Sequence, residues 1–188
     1  MRIKVRLASL ACALASFATH AALVAIVPVS QNKNIGDEVI VDIVGAGFTT
    51  PTVGGGFSLT FSGGVMSLAA ADVQLAGEAS LPGPWDPTSP RTETVLPGML
   101  LDFSFSQFSG VVGNFPIARL SFNAVAPGAS ALQLVPSVFS FVDTIGTPLE
   151  VSFGSASVNV VPEPATWGML ATGLALVGFL SIRRQRGA

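Results

Sequence analysis

The chain has 188 residues, 49% of them hydrophobic and only 11% charged, with a formal net charge of −2. It holds one His, one Cys and no Tyr, and both His20 and Cys12 fall within the first 21 residues. The rest of the chain therefore cannot build a Ser-His-Asp or Cys-His catalytic arrangement, a zinc site with nitrogen or sulfur ligands, or a disulfide.

At the N-terminus Arg2, Lys4 and Arg6 precede an apolar run from Leu7 to Phe17, and Thr19-His20-Ala21 supplies a small-residue exit. These are the parts of a secretory signal peptide, in order, so residues 1–21 read as a leader for signal peptidase and the mature chain starts near Ala22. Cys12 invites a lipoprotein reading, but Ser9-Leu10-Ala11 lacks the leucine expected three residues before a lipid-modified cysteine.

Between the two ends only Lys33, Arg91 and Arg119 are basic, against ten acids, which leaves the exported part at about −7. Such a charge disfavours nucleic acid and anionic lipid as partners. The pattern here has period two: Val39, Val41 and Ile43 alternate with Ile40, Asp42 and Val44, and Phe57, Leu59 and Phe61 with Ser58, Thr60 and Ser62. Alternation of this kind marks strands with one buried face. Turns are expected at Lys33–Asp37, Gly54-Gly55-Gly56 and Ser62-Gly63-Gly64, and one helical turn near Ala69–Asp72. Asp37, Glu38 and Asp42 lie close in sequence, but calcium asks for six to eight oxygens and Asp42 should face solvent, so no metal and no cofactor is expected.

The excursion Gly77–Gly98 contains Pro82, Pro84, Pro87 and Pro90 around Trp85. A loop of this length in a compact domain is functional or disordered. Trp85, with Asp86 beside it and Glu93 further on, is the candidate carbohydrate-binding group, an indole held by prolines next to carboxylates. The competing reading is that Trp85 folds back over an edge of the domain.

Strand patterns resume at Leu101–Phe105, Leu120–Asn123, Phe139–Phe141, Leu149–Phe153 and Val158–Val160, with turns at Ala126-Pro127-Gly128 and Thr144-Ile145-Gly146. The expected fold is all-β, a jelly-roll-like β-sandwich of about nine strands over residues 22–160, with most of the 13 Phe residues as core filler. Three segments carry a resemblance: Gly36-Asp37-Glu38-Val39-Ile40-Val41-Asp42, Gly56–Phe61 followed by Val65–Leu68, and Pro116–Gly128. Together they resemble cohesin domains, sandwiches related to cellulose-binding modules. That resemblance implies a binding module, in cohesins one that takes dockerin on a sheet face, and no enzyme.

The C-terminus reads Pro162-Glu163-Pro164, an uncharged apolar run over 165–182 beginning Ala165-Thr166-Trp167, and then Arg183, Arg184 and Arg186. About 18 apolar residues meet the lower length of a membrane-spanning helix, Trp167 suits the headgroup level, and the arginines hold the tail in the cytoplasm. The order of parts over 161–188 resembles the PEP-CTERM sorting signal, which implies recognition and cleavage by an exosortase.

The sequence therefore reads as an exported, non-catalytic surface or matrix module, anchored in the membrane as a precursor. It binds polysaccharide or, in the alternative, another protein as an adhesion or scaffold module. A glycoside hydrolase needs only two carboxylates at a defined separation, but the acids here are single and scattered, which makes it the weakest alternative.

Overall fold

The computed structural model of the protein describes residues 22–162 and 168–176. The leader, Glu163, Pro164, Trp167, Arg183, Arg184 and Arg186 lie outside the described residues. Ten strands follow in order: β1 (Ala22–Val27), β2 (Ser30–Asn34), β3 (Glu38–Thr60), β4 (Met66–Leu75), β5 (Thr94–Leu96), β6 (Met99–Ala124), β7 (Gly128–Pro136), β8 (Val142–Asp143), β9 (Val151–Phe153) and β10 (Ser155–Val161).

Straight, β3 and β6 would each reach about 75 to 85 Å at the rise of a strand. Instead they bend back together and serve in two layers. Residues 38–45 of β3 pair with 115–123 of β6, whereas 54–60 pair with 99–106, and the register shifts repeatedly in between. Gly47 and Gly113 sit in this bend at positive φ, a backbone conformation that a Cβ strongly disfavours. The first half of β3 lies in the layer β9-β1-β3-β6-β4, the second half in the layer β2-β10-β7-β3-β6-β5. Between the layers Val39, Val41, Ile43, Phe57 and Leu59 are buried as the alternation requires, and seven of the other ten Phe residues in 22–161 join them.

The pairing gives the domain two ends, about 25 Å apart by the length of the strands between them. The chain leaves at the sorting end. There the Val161 carbonyl accepts the Ile35 N–H, Gly36 N–H donates to the Ala124 carbonyl, and Val125 N–H donates to the Val65 carbonyl. At the distal end lie the bend of β3 and β6, the loop 137–141 and the turn 143–147; Thr52 pairs there with both Val111 and Asp143.

Three expectations are corrected. Gly54-Gly55-Gly56 is not a turn but lies inside β3, and its glycines serve close packing. A Cβ on Gly54 would meet the Phe105 carbonyl oxygen at 2.7 Å, and one on Gly55 the Phe141 ring at 2.7 Å. Phe139–Phe141 is a loop and not a strand, because Phe141 turns inward onto Gly55 while Phe139 stays exposed on the outer side. Ala69–Asp72 is a bulge in β4: Leu68 pairs with Phe122 and Val73 with Leu120, so four residues face Ser121 alone. Within 165–182 the described helix covers 168–176. No helix among the described residues is long and apolar enough to cross a membrane.

Candidate functional site

The excursion after β4 is an ordered strap that closes one open side of the sandwich. Ala76 N–H donates to the Ile117 carbonyl in one layer, Asp86 N–H to the Ser106 carbonyl in the other, and Thr92 and Ser104 share three hydrogen bonds further along. Trp85 fills the gap between the layers. It is 2% exposed, its ring centroid is 4.4 Å from that of Phe105 and 5.2 Å from that of Phe115, and its Nε1–H donates to the Pro116 carbonyl at 2.8 Å. An indole with its polar edge satisfied and both faces packed presents no platform to a sugar, so the geometry here is that of the edge-covering alternative. Gly77 is required beside it, since a Cβ there would meet the Trp85 carbonyl oxygen at 1.9 Å.

The two carboxylates read with Trp85 have separate local duties. Asp86 accepts from the Thr88 hydroxyl at 2.7 Å and the Thr88 N–H at 2.8 Å, and these bonds hold its carboxyl below the ordinary value. Glu93 lies beside Arg91, which also pairs with Glu78. Its Oε2 is buried without a hydrogen-bond partner. Burial pushes the Glu93 carboxyl up, against the opposing pull of Arg91, and Glu78 adds to the rise. Asp86 and Glu93 share no hydrogen bond or ion pair among the described residues. Asp42 faces outward from β3 as expected, where Arg119 of the paired strand β6 takes both of its oxygens at 2.7 and 3.1 Å.

The surface with the chemistry of a docking site is one that the sequence pattern did not single out. At the distal end Phe108 is 92% exposed, Ile145 85% and Val138 77%, and Val112 and Phe139 are exposed near them. The elements are contiguous: a Cβ on Gly110 would lie 2.9 Å from Pro51 and 3.1 Å from Thr144. A groove of about 450 Å³ opens beside them, lined by Val53, Gly54, Ser106, Val138, Phe139 and Val142. Asp143 holds the turn that projects Ile145, accepting from the Ile145 and Thr147 N–H groups at 2.9 and 2.8 Å. Those bonds, the one from Thr147 foremost, depress its carboxyl below the ordinary value. The missed signals were an aromatic out of phase with its strand, Phe108 after Phe103 and Phe105, and an isoleucine at the tip of a turn.

Of the sorting segment, Pro162 follows β10 directly. In the helix over 168–176 every side chain is exposed, including Met169, Leu170, Leu174 and Leu176, and its Thr172 hydroxyl donates to the Gly168 carbonyl at 2.7 Å.

No curated protein matches the sequence. Residues 160–185 match the PEP-CTERM protein-sorting motif. Among solved structures the chain is similar to a non-cellulosomal cohesin from the hyperthermophilic archaeon Archaeoglobus fulgidus, with a TM-score of 0.60 at 13% identity, over 80% of this chain and 98% of that one. A chain of a type I cohesin–dockerin complex from Clostridium thermocellum gives 0.59 at 9% identity, over 76% of this chain and 100% of that one. A cohesin module from a Clostridium perfringens family 33 glycoside hydrolase gives 0.56 at 11% identity, over 76% and 97%. At these identities the likeness is one of fold: the protein is a cohesin-like β domain that carries a PEP-CTERM sorting motif at its C-terminus.

Proposed function

We propose that the protein is an exported surface module of the adhesion or scaffold type, non-catalytic, carried to the membrane by its signal peptide and PEP-CTERM segment and processed by an exosortase. Its distal end binds a protein partner. The observation behind this reading is that the three most exposed large apolar side chains of the β domain, Phe108, Ile145 and Val138, gather at the end opposite the sorting motif. Exposed apolar residues grouped in this way mark interaction surfaces. The charged neighbours are acids: Asp143 in the turn of Ile145, Asp102 bonded to the Val138 N–H, and Glu150 beside Phe139. Of the three cations within residues 22–162, Arg91 pairs with Glu78, Arg119 pairs with Asp42, and Lys33 stands at the other end, donating to the Glu38 carbonyl. The partner surface that fits is therefore apolar with basic flanks.

A polysaccharide ligand would use another surface, because Trp85 is covered. The two readings separate in one experiment. Proteins of the host's secreted fraction are tested for binding to the immobilised domain and to a Phe108→Ser, Ile145→Ser double variant, alongside a glycan array. Saturable binding of one protein to the parent, lost in the variant, supports the reading. Glycan binding that the variant retains, with no saturable protein partner, would falsify it.

A further inference from the structure

The sorting end carries its own exposed apolar residues, smaller and differently placed. Three neighbouring turns each present one aliphatic side chain: Ile35 between β2 and β3, Val125 between β6 and β7, and Leu96 where β5 turns into β6. Backbone hydrogen bonds link these turns side by side, from Gly36 to Ala124, from Val125 to Val65, and from Phe61 to Gly98. The exposed Pro97 and Pro127 stand in the same turns. Turn tips normally carry polar residues, so three aliphatic tips at one end need a cover.

The position of the chain's exit says what the cover is. After Val161, which is locked into β10 by its pairing with Asn34, only Pro162, Glu163 and Pro164 precede the apolar run that begins at Ala165. Four residue steps span at most about 14 Å, while the headgroup layer of a bilayer is roughly 6 Å deep on each side. A domain tied by so short a connection cannot stand clear of the membrane, and its sorting end is the face that meets it. The helix over 168–176, apolar and with every side chain exposed, likewise makes no cover against the β domain. The only charged side chains in these turns and their flanks are Lys33, Asp37 and Glu38. With two acids against one base, the surface fits zwitterionic headgroups and not an anionic layer.

We propose that the sorting end is a lipid-contacting surface, with Ile35, Leu96 and Val125 resting in the headgroup layer of a zwitterionic membrane while the distal end points away from it. The proposal rests on the reading of residues 165–182 as the membrane anchor. It is tested on the full chain, with Cys12→Ser, reconstituted in phosphatidylcholine vesicles and carrying a nitroxide on Val125→Cys, on Ile35→Cys or, at the other end, on Phe108→Cys. Collision with lipid-soluble oxygen and with a water-soluble nickel chelate is then measured. The expected result is several-fold protection of the Val125 and Ile35 labels from nickel relative to the Phe108 label, with oxygen accessibility raised. Vesicle-bound chains in which all three labels meet nickel equally overturn the proposal and leave the anchor standing. A chain that does not float with the vesicles overturns the anchor, and this proposal with it.

Discussion

The two ends of the domain are made from the same strands, yet they are supported differently. Under the distal end the core is aromatic: Phe48, Trp85, Phe105, Phe115 and Phe141 form a connected set with ring centroids 4.4 to 5.7 Å apart. Under the sorting end it is largely aliphatic, with Val39, Val41, Leu59, Met66 and Leu120, joined by the edge-on pair Phe61 and Phe122. The distal end is where β3 and β6 must reverse, and a reversal opens the layers. Large flat rings and the Trp85 plug fill that gap, which fixes the loops above it and the apolar side chains they hold outward. At the sorting end ordinary turns close the strands, and no such plug is needed.

The largest effect expected from breaking this arrangement is at Trp85. Trp85→Ala leaves a cavity between the layers and an unpaired Pro116 carbonyl, so unfolding by urea should show a loss of about 3–5 kcal/mol. Binding at the distal end should weaken with it, whereas labels at the sorting end keep their environment. A loss under about 1 kcal/mol would mean that the strap does not support the bend.

Next comes the surface itself. Phe108→Ser with Ile145→Ser should change stability by no more than about 0.5 kcal/mol, because both side chains are exposed. The partner's affinity should nevertheless fall at least tenfold, about 1.4 kcal/mol. Ile35→Ser with Val125→Ser is the matching change at the other end and should leave that affinity untouched. Equal loss from both pairs would erase the distinction between the ends.

An effect of comparable size is expected at Asp102, which joins the two themes. It takes positive φ at 52° in a bulge where Leu101 and Asp102 face Ser58, and its Oδ1 accepts the Val138 N–H at 3.3 Å. Asp102→Ala puts an unsupported side chain into left-handed backbone and frees Val138, for about 1–2 kcal/mol by thermal unfolding. Asp102→Gly should recover most of the stability without restoring the hold on the loop.

The alternation of Val39, Val41, Ile43, Phe57 and Leu59 was legible because burial on one face of a strand has a fixed period, and the outward Asp42 followed from it. What the pattern could not convey is that β3 and β6 continue through their bends. Gly54-Gly55-Gly56 has the composition of a turn, but the glycines are there because Phe105 and Phe141 approach their backbone, a long-range contact that no local signal encodes. Trp85 was open for the same reason: flanking prolines describe a stiff loop and do not say whether it stands out or folds back. Phe108 and Ile145 went unnoticed because a single apolar residue gains its meaning only from neighbours brought near by the fold.

The smallest effect expected is electrostatic, and it has opposite signs in the two places. Asp143, in the turn that presents Ile145, has its carboxyl depressed by hydrogen bonds that only the folded chain supplies. Its contribution is present above the ordinary value of 3.8 and is lost as the pH falls through the lower folded value. Glu93 in the strap is raised, chiefly by burial, above its ordinary 4.5. Its contribution is full below 4.5 and is lost as the pH rises through the folded value. Hydrogen exchange, corrected for its intrinsic pH dependence, should therefore show the strap tightening as the pH is lowered toward 4.5, and the 143–147 turn loosening only on acidification below 3.8. Glu93→Gln should remove the first response and Asp143→Asn the second, each leaving the other intact. If one substitution removed both, the turn and the strap would be a single cooperative unit, and the plug at Trp85 would be the part that couples them.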